Sequence, residues 1–88
     1  MRLRPTARGR KSLAKLDKAQ RISAEEALLR FLNDPRAPGL HFEKLKGHSD
    51  LHTIRINRKL RLFLRATDEA DLFEIVDAGP HDLYGRTG

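Results

Sequence analysis

The sequence predicts a small α+β domain, in which a helical hairpin packs on one face of a four-stranded, mainly antiparallel sheet in the order β-α-α-β-β-β. Three observations support this prediction. Apolar residues alternate between positions 50 and 65, two helix-forming segments precede them, and a further apolar run covers 72–78. The 88 residues contain no cysteine, and a chain of this size buries only ~60–65% of its unfolded surface. We therefore expect one domain, residues 1–88, whose core is not supported by disulfides.

The N-terminal segment predicts a brief strand at Met1–Arg4 followed by a helix. Thr6 is placed to be the N-cap residue of a helix from Ala7 to Lys18, although Gly9 lowers the helix propensity by about 1 kcal/mol. One side of this helix carries basic residues at three- and four-residue spacing: Arg8, Lys11, Lys15 and Lys18. Such a row is typical of a solvated helix face, and it also suits contact with a phosphate backbone or an acidic partner. The sequence leaves both interpretations open.

A second helix is predicted to begin at Ser23, which forms a capping box with Glu26. Its apolar residues make one continuous stripe: Ala24, Ala27, Leu28, Phe31 and Leu32. The run Asn33-Asp34-Pro35 ends this helix, because proline disfavours helical backbone at the residue before it. The link between the helices is short, so we expect them to be antiparallel and to cover the apolar face of the sheet.

The alternating stretch predicts a β-hairpin whose register follows from its apolar pattern. A three-residue loop at 57–59 pairs Ile54 with Leu62 and places Arg55 opposite Arg61. The other side of the hairpin, here called the arginine face, carries Arg55, Arg61 and Arg65, with Thr53 and Phe63 between them. Like charges directly opposite each other cost roughly 0.2–1 kcal/mol per pair, and a bound anion would remove this cost. Solvated sheet faces also carry arginines, and we expect this face to be uncovered.

Charge is distributed unevenly along the chain, which has a formal net charge of +6. Residues 1–22 hold eight Lys/Arg against one acid, residues 40–65 hold seven against two, and residues 66–88 hold one against six. The two basic blocks favour polyanions, either nucleic acid or an acidic protein segment, with binding that weakens as salt rises. No apolar run approaches the ~18 residues of a membrane span, and no signal peptide is recognisable. We expect a soluble, cytoplasmic protein.

Four histidines are candidates for chemistry: His41, His48, His52 and His81. None has metal-ligand spacing, and without cysteine a zinc site is not expected. His52 shares the parity of Ile54, so it lies either at the margin of the core or in a cleft, and the sequence does not decide between them. His81 follows a Gly-Pro break after the last predicted strand, in G-P-H-D-L-Y-G-R, where a side chain can enter a cleft.

Several motifs of the chain resemble the RelE/ParE superfamily of bacterial toxins. They are the opening L-R-P-T-A-R-G-R-K-S-L-A-K-L, the later L-K-G-H-S-D-L-H, the R-x-x-x-x-x-R spacing of the hairpin and the terminal G-x-H-D-L-Y-G. Within the superfamily, D-L-H and G-P-H-D-L-Y-G are most similar to YafQ-type members. The likeness covers nearly the whole chain and implies a RelE-like fold. The chain departs from it near Gly9 and Arg10, where members commonly have an aromatic residue, and in the hairpin, where YafQ-type members carry more acid and histidine.

The resemblance implies the toxin of a type II toxin–antitoxin system, a ribosome-associated endoribonuclease that cleaves mRNA and is neutralised by a cognate antitoxin. Such cleavage needs no metal and no other cofactor, because RNA supplies its own 2′-hydroxyl nucleophile while the enzyme supplies an acid, a base and cations. The candidate catalytic residues are His81, Arg61, Arg55, His52 and Tyr84. The candidate RNA-binding residues are Arg65, Lys59, Arg58, Phe63 and Lys46. In this scheme the histidines transfer protons, the arginines hold phosphate, and Phe63 or Tyr84 offers a surface for base stacking.

Two other functions stay open at this point. A ParE-like toxin would inhibit DNA gyrase by protein contact and would need no catalytic histidine, and a non-toxic basic module would only bind RNA or DNA. For a toxin, the expected partner is an antitoxin with an acidic, amphipathic segment that lies against the basic first helix or the arginine face. The toxin–antitoxin complex would then bind operator DNA through the antitoxin. No membrane partner is expected.

Overall fold

The computed structural model describes residues 1–84. Its elements are β1 (Arg2–Pro5), α1 (Ala7–Ala14), α2 (Lys18–Asn33), β2 (Glu43–Lys44), β3 (Leu51–Arg55), β4 (Leu60–Ala66) and β5 (Leu72–Pro80). The strands form one sheet in the order β1-β5-β4-β3-β2, in which β1 is parallel to β5 and all other neighbours are antiparallel. The predicted α+β class is confirmed. The predicted count of four strands is wrong by one, because β2 pairs with β3 instead of only leading into the sheet. Gly85 and Arg86 of the terminal motif lie outside the described residues.

The β3–β4 hairpin has the predicted register. Ile54 pairs with Leu62, and Arg55 pairs with Arg61. The loop is stabilised by the side chain of Asn57, whose Oδ1 accepts hydrogen bonds from the backbone nitrogens of Lys59 (2.9 Å) and Leu60 (3.1 Å). Asparagine readily makes such local bonds to the following backbone, so this residue accounts for the three-residue loop.

The boundary between the two helices differs from the prediction. The first helix ends at Ala14, and the second begins immediately after Asp17, which forms a capping box with Gln20. The predicted start at Ser23 is therefore wrong. Both positions have the spacing of a capping box, but the earlier one begins the helix more than a turn sooner and adds backbone hydrogen bonds. An aspartate cap also interacts favourably with the positive end of the helix dipole.

The first helix lies directly against the backbone of β5. Thr6 is its N-cap residue, as predicted, and its Oγ1 accepts a hydrogen bond from the Gly9 nitrogen (3.0 Å). The Thr6 nitrogen also donates to the carbonyl oxygen of Ile75 (3.0 Å). A β-carbon at position 9 would overlap that same oxygen, so glycine is the residue that permits this close approach.

The main core lies between the helices and the sheet. Its buried residues are Leu16, Ala24, Ala27, Phe31, Leu40, Ile54, Leu62, Leu64, Phe73 and Ile75. Phe31 packs edge-on against Phe42 and Phe73, with ring centroids 5.0 and 5.9 Å away. No helix within residues 1–84 combines the length and the apolar character needed to cross a membrane.

A second, smaller core covers part of the arginine face. It contains Leu45, Leu51, Phe63 and Val76, with Tyr84 packed against it. The expectation that this face is uncovered is therefore wrong. The chain after β5 turns back over the sheet, because the Leu83 nitrogen donates to the Pro80 oxygen (3.0 Å), and this turn brings Tyr84 onto Phe63.

Candidate active site

A narrow cleft on the arginine face lies between the end of β5 and the β3–β4 hairpin. It is lined by Glu43, Lys44, Leu45, Thr53, Arg61 and His81, and its volume is about 60 Å³. The strand register explains why His81 and Arg61 meet here. Arg61 pairs with Gly79, so the exposed residue His81 leaves the sheet beside the start of β4. Since one water needs about 10–15 Å³, the cleft has room for a few groups of that size, such as the oxygens of one phosphate.

Arg55 and Arg61 form a cationic pair next to this cleft. The Nη1 of Arg61 donates to the backbone oxygens of Asn57 (2.9 Å) and Leu60 (3.1 Å), which orient its guanidinium. The Nε of Arg55 is buried and has no hydrogen-bond partner in the part of the chain that the structure describes. Within that part, neither arginine forms an ion pair. Burial, and then the charge of Arg55, lower the pKa of Arg61 below its ordinary value. A bound anion would relieve the repulsion between the two arginines.

Arg65 differs from the other two arginines of the arginine face because it is paired with a carboxylate. Its Nε and Nη2 donate to Oε1 of Glu74 at 3.2 and 2.8 Å, while Arg4 donates to Oε2 of the same carboxylate at 3.2 Å. The Arg65 hydrogen bonds, which outweigh burial, lower the pKa of Glu74. Of the three arginines in the predicted row, Arg55 and Arg61 therefore have no ion-pair partner within residues 1–84, whereas Arg65 is neutralised by Glu74.

Tyr84 donates its hydroxyl proton to Oδ2 of Asp77 (2.8 Å) and packs its ring edge-on against Phe63, with the centroids 4.9 Å apart. Burial, followed by the Asp77 hydrogen bond, raises the pKa of Tyr84. Phe63 itself is fully buried, so it cannot stack on a base in this conformation and the prediction of a stacking role for Phe63 is wrong. Tyr84 is half-buried and keeps part of its ring accessible.

His52 lies on the opposite face of the sheet from the cleft. Its ring stacks on Phe42, with centroids 5.1 Å apart, and meets Phe73 edge-on at 5.4 Å. Burial lowers the pKa of His52. Of the two positions that the sequence left open, the structure places His52 at the margin of the core, and it does not bring this imidazole to Arg61 or His81.

The remaining basic candidates lie at the two ends of the face. Arg58 and Lys59 are exposed at the tip of the hairpin, beside the start of β4. Lys46 is exposed in the turn between β2 and β3, at the opposite end of β3. At about 3.3 Å per residue, the five residues of β3 separate these two groups by more than ~13 Å. They are placed to contact different parts of an extended polyanion.

The chemistry available in the cleft is proton transfer beside a fixed positive charge. His81 supplies an imidazole, which can accept or donate a proton, and Arg61 supplies a guanidinium for a developing negative charge. Within residues 1–84, no group of three or more His, Cys, Asp or Glu side chains is close enough to hold a metal ion. No cofactor-binding residues are predicted.

Comparisons with known proteins identify the architecture. No protein-family model and no curated protein sequence matches the chain. Among solved structures, a chain of the intact E. coli RelBE toxin-antitoxin complex is 25% identical, with a TM-score of 0.69 over 90% of this chain and 94% of that chain. The YoeB/ParE toxin from Agrobacterium tumefaciens is 19% identical, with a TM-score of 0.73 over 92% and 99%. The chain has the fold of the RelE/ParE toxins. A chain of the E. coli DinJ-YafQ complex is 17% identical, with a TM-score of 0.72 over 94% and 96%.

The RelE-like fold that the motif resemblance implied is thus confirmed. Within this RelE/ParE fold, the tertiary structure adds three acidic residues that the sequence reasoning missed. Glu43 lines the cleft, Glu74 neutralises Arg65, and Asp77 binds Tyr84. A signal for Asp77 was present, since it is the one carboxylate inside the apolar run I-V-D-A of the last strand. A charged residue at such a position is rarely buried unless it has partners.

Proposed function

We propose that the chain is the toxin of a type II toxin–antitoxin system and that it is a cytoplasmic, ribosome-associated endoribonuclease that cleaves mRNA. The single observation that carries this proposal is the position of His81 beside Arg61 in one cleft of a RelE/ParE fold. A protein that acts only by binding has no need of an imidazole and a guanidinium that converge on a space the size of a phosphate.

The proposed reaction uses the 2′-hydroxyl of the RNA as the nucleophile. The bond from the 2′-oxygen to phosphorus forms as the bond from phosphorus to the 5′-oxygen breaks, and His81 transfers one of the two protons, either from the 2′-hydroxyl or to the departing 5′-oxygen, while water makes the other transfer. Arg61, with Arg55 behind it, stabilises the charge that develops on the phosphorane oxygens. Arg58, Lys59 and Lys46 contact the flanking RNA backbone, and Arg65 contributes less because Glu74 neutralises it. Neither His52 nor the hydroxyl of Tyr84 takes part in proton transfer in this scheme, since the first faces the core and the second is donated to Asp77.

A cognate antitoxin is part of the proposal. Three solved structures with this fold come from toxin-antitoxin or RelE-RelB complexes of E. coli, Mycobacterium tuberculosis and Pyrococcus horikoshii. By analogy, the chain would be silent in a complex and active when released. We further propose that such a complex binds operator DNA through the antitoxin, not through this chain.

The test compares growth arrest and mRNA cleavage by variants induced at matched soluble expression. We expect His81→Ala to lower cleavage roughly 10²–10⁴-fold, because it removes a proton-transfer group. Arg61→Ala should lower cleavage by a comparable factor and also weaken RNA binding, whereas Arg61→Lys should recover only part, since an ammonium cannot make a two-pronged contact. Primer extension after brief induction should show new 5′ ends inside reading frames for the parent and none for the Ala variants.

Two control variants remove the same chemistry outside the cleft. His41→Asn removes an exposed imidazole at a position with a φ of 49°, which asparagine tolerates. Arg21→Ala removes an exposed cation from the second helix. Both should arrest growth like the parent. If a folded His81→Ala protein, checked by circular dichroism, arrests growth as strongly as the parent, the nuclease role of His81 is wrong.

A second candidate function is the inhibition of DNA gyrase by protein contact. The observation in its favour is the TM-score of 0.73 with the YoeB/ParE toxin, because the fold alone does not separate a nuclease from a gyrase inhibitor. The same induction experiment distinguishes the two. Altered plasmid supercoiling with intact mRNA would support gyrase inhibition, and it would not depend on His81.

A further inference from the structure

A buried carboxylate ties three separate segments of the chain together. Asp77, in β5, is only 4% exposed. Its Oδ1 accepts a hydrogen bond from the hydroxyl of Ser12 in α1 (2.6 Å), and its Oδ2 accepts one from the hydroxyl of Tyr84 (2.8 Å). The guanidinium of Arg8, also in α1, lies 3.1 Å from the same Oδ2. The first helix and the segment after β5 are thus both attached to one side chain.

Burial of the Asp77 carboxylate is favourable only when its hydrogen-bond donors are held in place around it. A carboxylate is withdrawn from water only when hydrogen bonds and opposite charge replace its hydration. Burial raises the pKa of Asp77, but the hydrogen bonds from Ser12, Tyr84 and the Ala78 nitrogen, together with Arg8, outweigh burial and leave this pKa below its ordinary value. The carboxylate is therefore ionised at neutral pH and holds its donors strongly, because hydrogen bonds to a charged acceptor are shorter and stronger than neutral ones.

The segment 81–84 is held at two points. At Leu83, the backbone nitrogen donates to the Pro80 oxygen (3.0 Å), and the side chain packs over Gly79. At its end, Tyr84 is bound to Asp77, and its ring lies under the Arg8 guanidinium at 5.8 Å. His81 lies inside the turn that the Leu83–Pro80 hydrogen bond closes, three residues before the Tyr84 attachment, and its own side chain is exposed. The location of the imidazole therefore depends on how firmly the segment is closed back onto the sheet.

We propose that Asp77 is a positioning residue, whose bond to Tyr84 holds the segment 81–84 on the arginine face and thereby keeps His81 beside Arg61. The catalytic consequence of this positioning rests on the proposed nuclease function. Tyr84 then acts through its link to Asp77 and not on the RNA. Asp77 touches neither substrate nor the cleft, so its influence on the reaction runs through the segment that carries His81.

The first test needs no RNA. Tyr84 is the only tyrosine and the chain has no tryptophan, so ultraviolet absorbance follows the titration of this one phenol. In folded Asp77→Asn, the Tyr84 pKa should fall relative to the parent, since a neighbouring negative charge is removed while Arg8 of α1, Arg65 of β4 and the His48 ring 6.1 Å away remain. Amide exchange at Leu83, measured by NMR, should accelerate about tenfold or more, as expected when a charged hydrogen bond no longer closes a local segment.

Two further variants make the assignment specific. Tyr84→Phe keeps the ring on Phe63 but removes the hydroxyl, so it should accelerate Leu83 exchange as Asp77→Asn does, and it carries the test if the latter fails to fold. Ser12→Ala removes a donor from the same carboxylate without touching the segment, so Leu83 exchange should change much less. If exchange at Leu83 is unchanged in both Asp77→Asn and Tyr84→Phe, the positioning role is overturned, whether or not the protein cleaves RNA.

The second test measures RNA cleavage. Asp77→Asn and Tyr84→Phe should each lower kcat about tenfold with KM nearly constant, because bound RNA meets a misplaced His81. The double variant should be no slower than either single one, since both remove the same link. Independent, additive losses with a raised KM would instead show that Tyr84 contacts RNA directly, and that result would overturn the proposal. If Leu83 exchange shows that the segment 81–84 is held in the parent protein, but this protein cleaves no RNA, the nuclease function is wrong. The attachment of the segment through Asp77 and Tyr84 would still stand.

Discussion

His52 is a residue whose neighbours determine its chemistry. It lies between Phe42 and Phe73, and its Nδ1 is buried without a hydrogen-bond partner in the described part of the chain. Burial lowers its pKa below the ordinary value of 6.5, and the charge of Lys44 adds to this effect while Asp50 opposes it. The folded protein therefore holds His52 neutral in a pH range where the unfolded chain protonates it. Stability is lost as pH falls through this range, because the unfolded state then binds the extra proton.

We expect this loss to appear in the melting temperature as pH is lowered from about 7 into the range below 6.5, the unperturbed histidine pKa. In His52→Phe the pH dependence should be smaller, because the aromatic stacking is kept and the titrating group is gone. His41→Asn, which removes an exposed histidine, should keep the slope of the parent. Equal slopes in the parent and in His52→Phe would mean that His52 is not responsible. Thermal unfolding by circular dichroism at a series of pH values makes the comparison.

At the scale of elements, the packing of α1 on β5 determines where several side chains can act. The helix begins where β1 ends, and Gly9 lets it approach the Ile75 carbonyl closely. This approach is what allows Ser12 and Arg8 to reach Asp77. A glycine that helix propensity alone treats as a defect is thus required by the contact between helix and strand.

Gly9→Ala tests this contact. Alanine would improve the propensity of α1 by about 1 kcal/mol, but its methyl group overlaps a backbone oxygen that cannot rotate away. Overpacking costs about 1–3 kcal/mol, and a clash with fixed backbone belongs at the upper end of this range, so after the propensity gain we expect a net destabilisation of about 1–2 kcal/mol and a Tm lowered by roughly 5–15 °C. Lys11→Ala, at an exposed position of the same helix, should change the stability by less than about 0.5 kcal/mol. A Gly9→Ala protein that melts at or above the parent Tm would contradict the proposed packing.

At the scale of the whole molecule, the parallel pairing of β1 with β5 brings the basic start of the chain beside its acidic last part. Arg2 binds Glu69 and Asp71, and Arg4 shares Glu74 with Arg65. These exposed pairs add little stability. Their larger effect is on the surface charge, because they neutralise one basic region and leave other cations without ion pairs in the described residues. These include Lys11, Lys15 and Lys18 near the helix junction, and Arg55 and Arg61 beside the cleft.

We expect an antitoxin with an acidic, amphipathic segment to associate with one of these two cationic surfaces. The association rate, measured by stopped flow, should fall steeply between low and high ionic strength, because unpaired charges steer the encounter. Two double variants remove equal charge from the two surfaces: Lys15→Ala/Lys18→Ala at the helix junction and Arg55→Ala/Arg61→Ala beside the cleft. The double variant that slows association more identifies the surface that the antitoxin contacts. An association rate that does not depend on salt would contradict an electrostatic contact at either surface.

The sequence by itself determined the features that neighbouring residues encode. The register of the hairpin follows from alternating side chains and from Asn57 in its loop, the first helix is capped by Thr6, and the second ends before Pro35. In each case the deciding interactions span a few residues, so a local pattern is sufficient. The sharing of one cleft by His81 and Arg61 was expected only from the family resemblance, and it depends on the pairing of β4 with β5.

Only the tertiary structure decided which partner each charged or aromatic side chain would have. Phe63 shares its parity with the arginines, yet the returning segment at Tyr84 covers it. Arg65 has the parity of Arg55 and Arg61, but it is neutralised by Glu74, and Asp77 is buried with Ser12 and Tyr84 as its hydrogen-bond donors. Alternation along a strand states which face a side chain takes, but not what covers that face. That depends on contacts between distant parts of the chain, which form only when the whole fold closes.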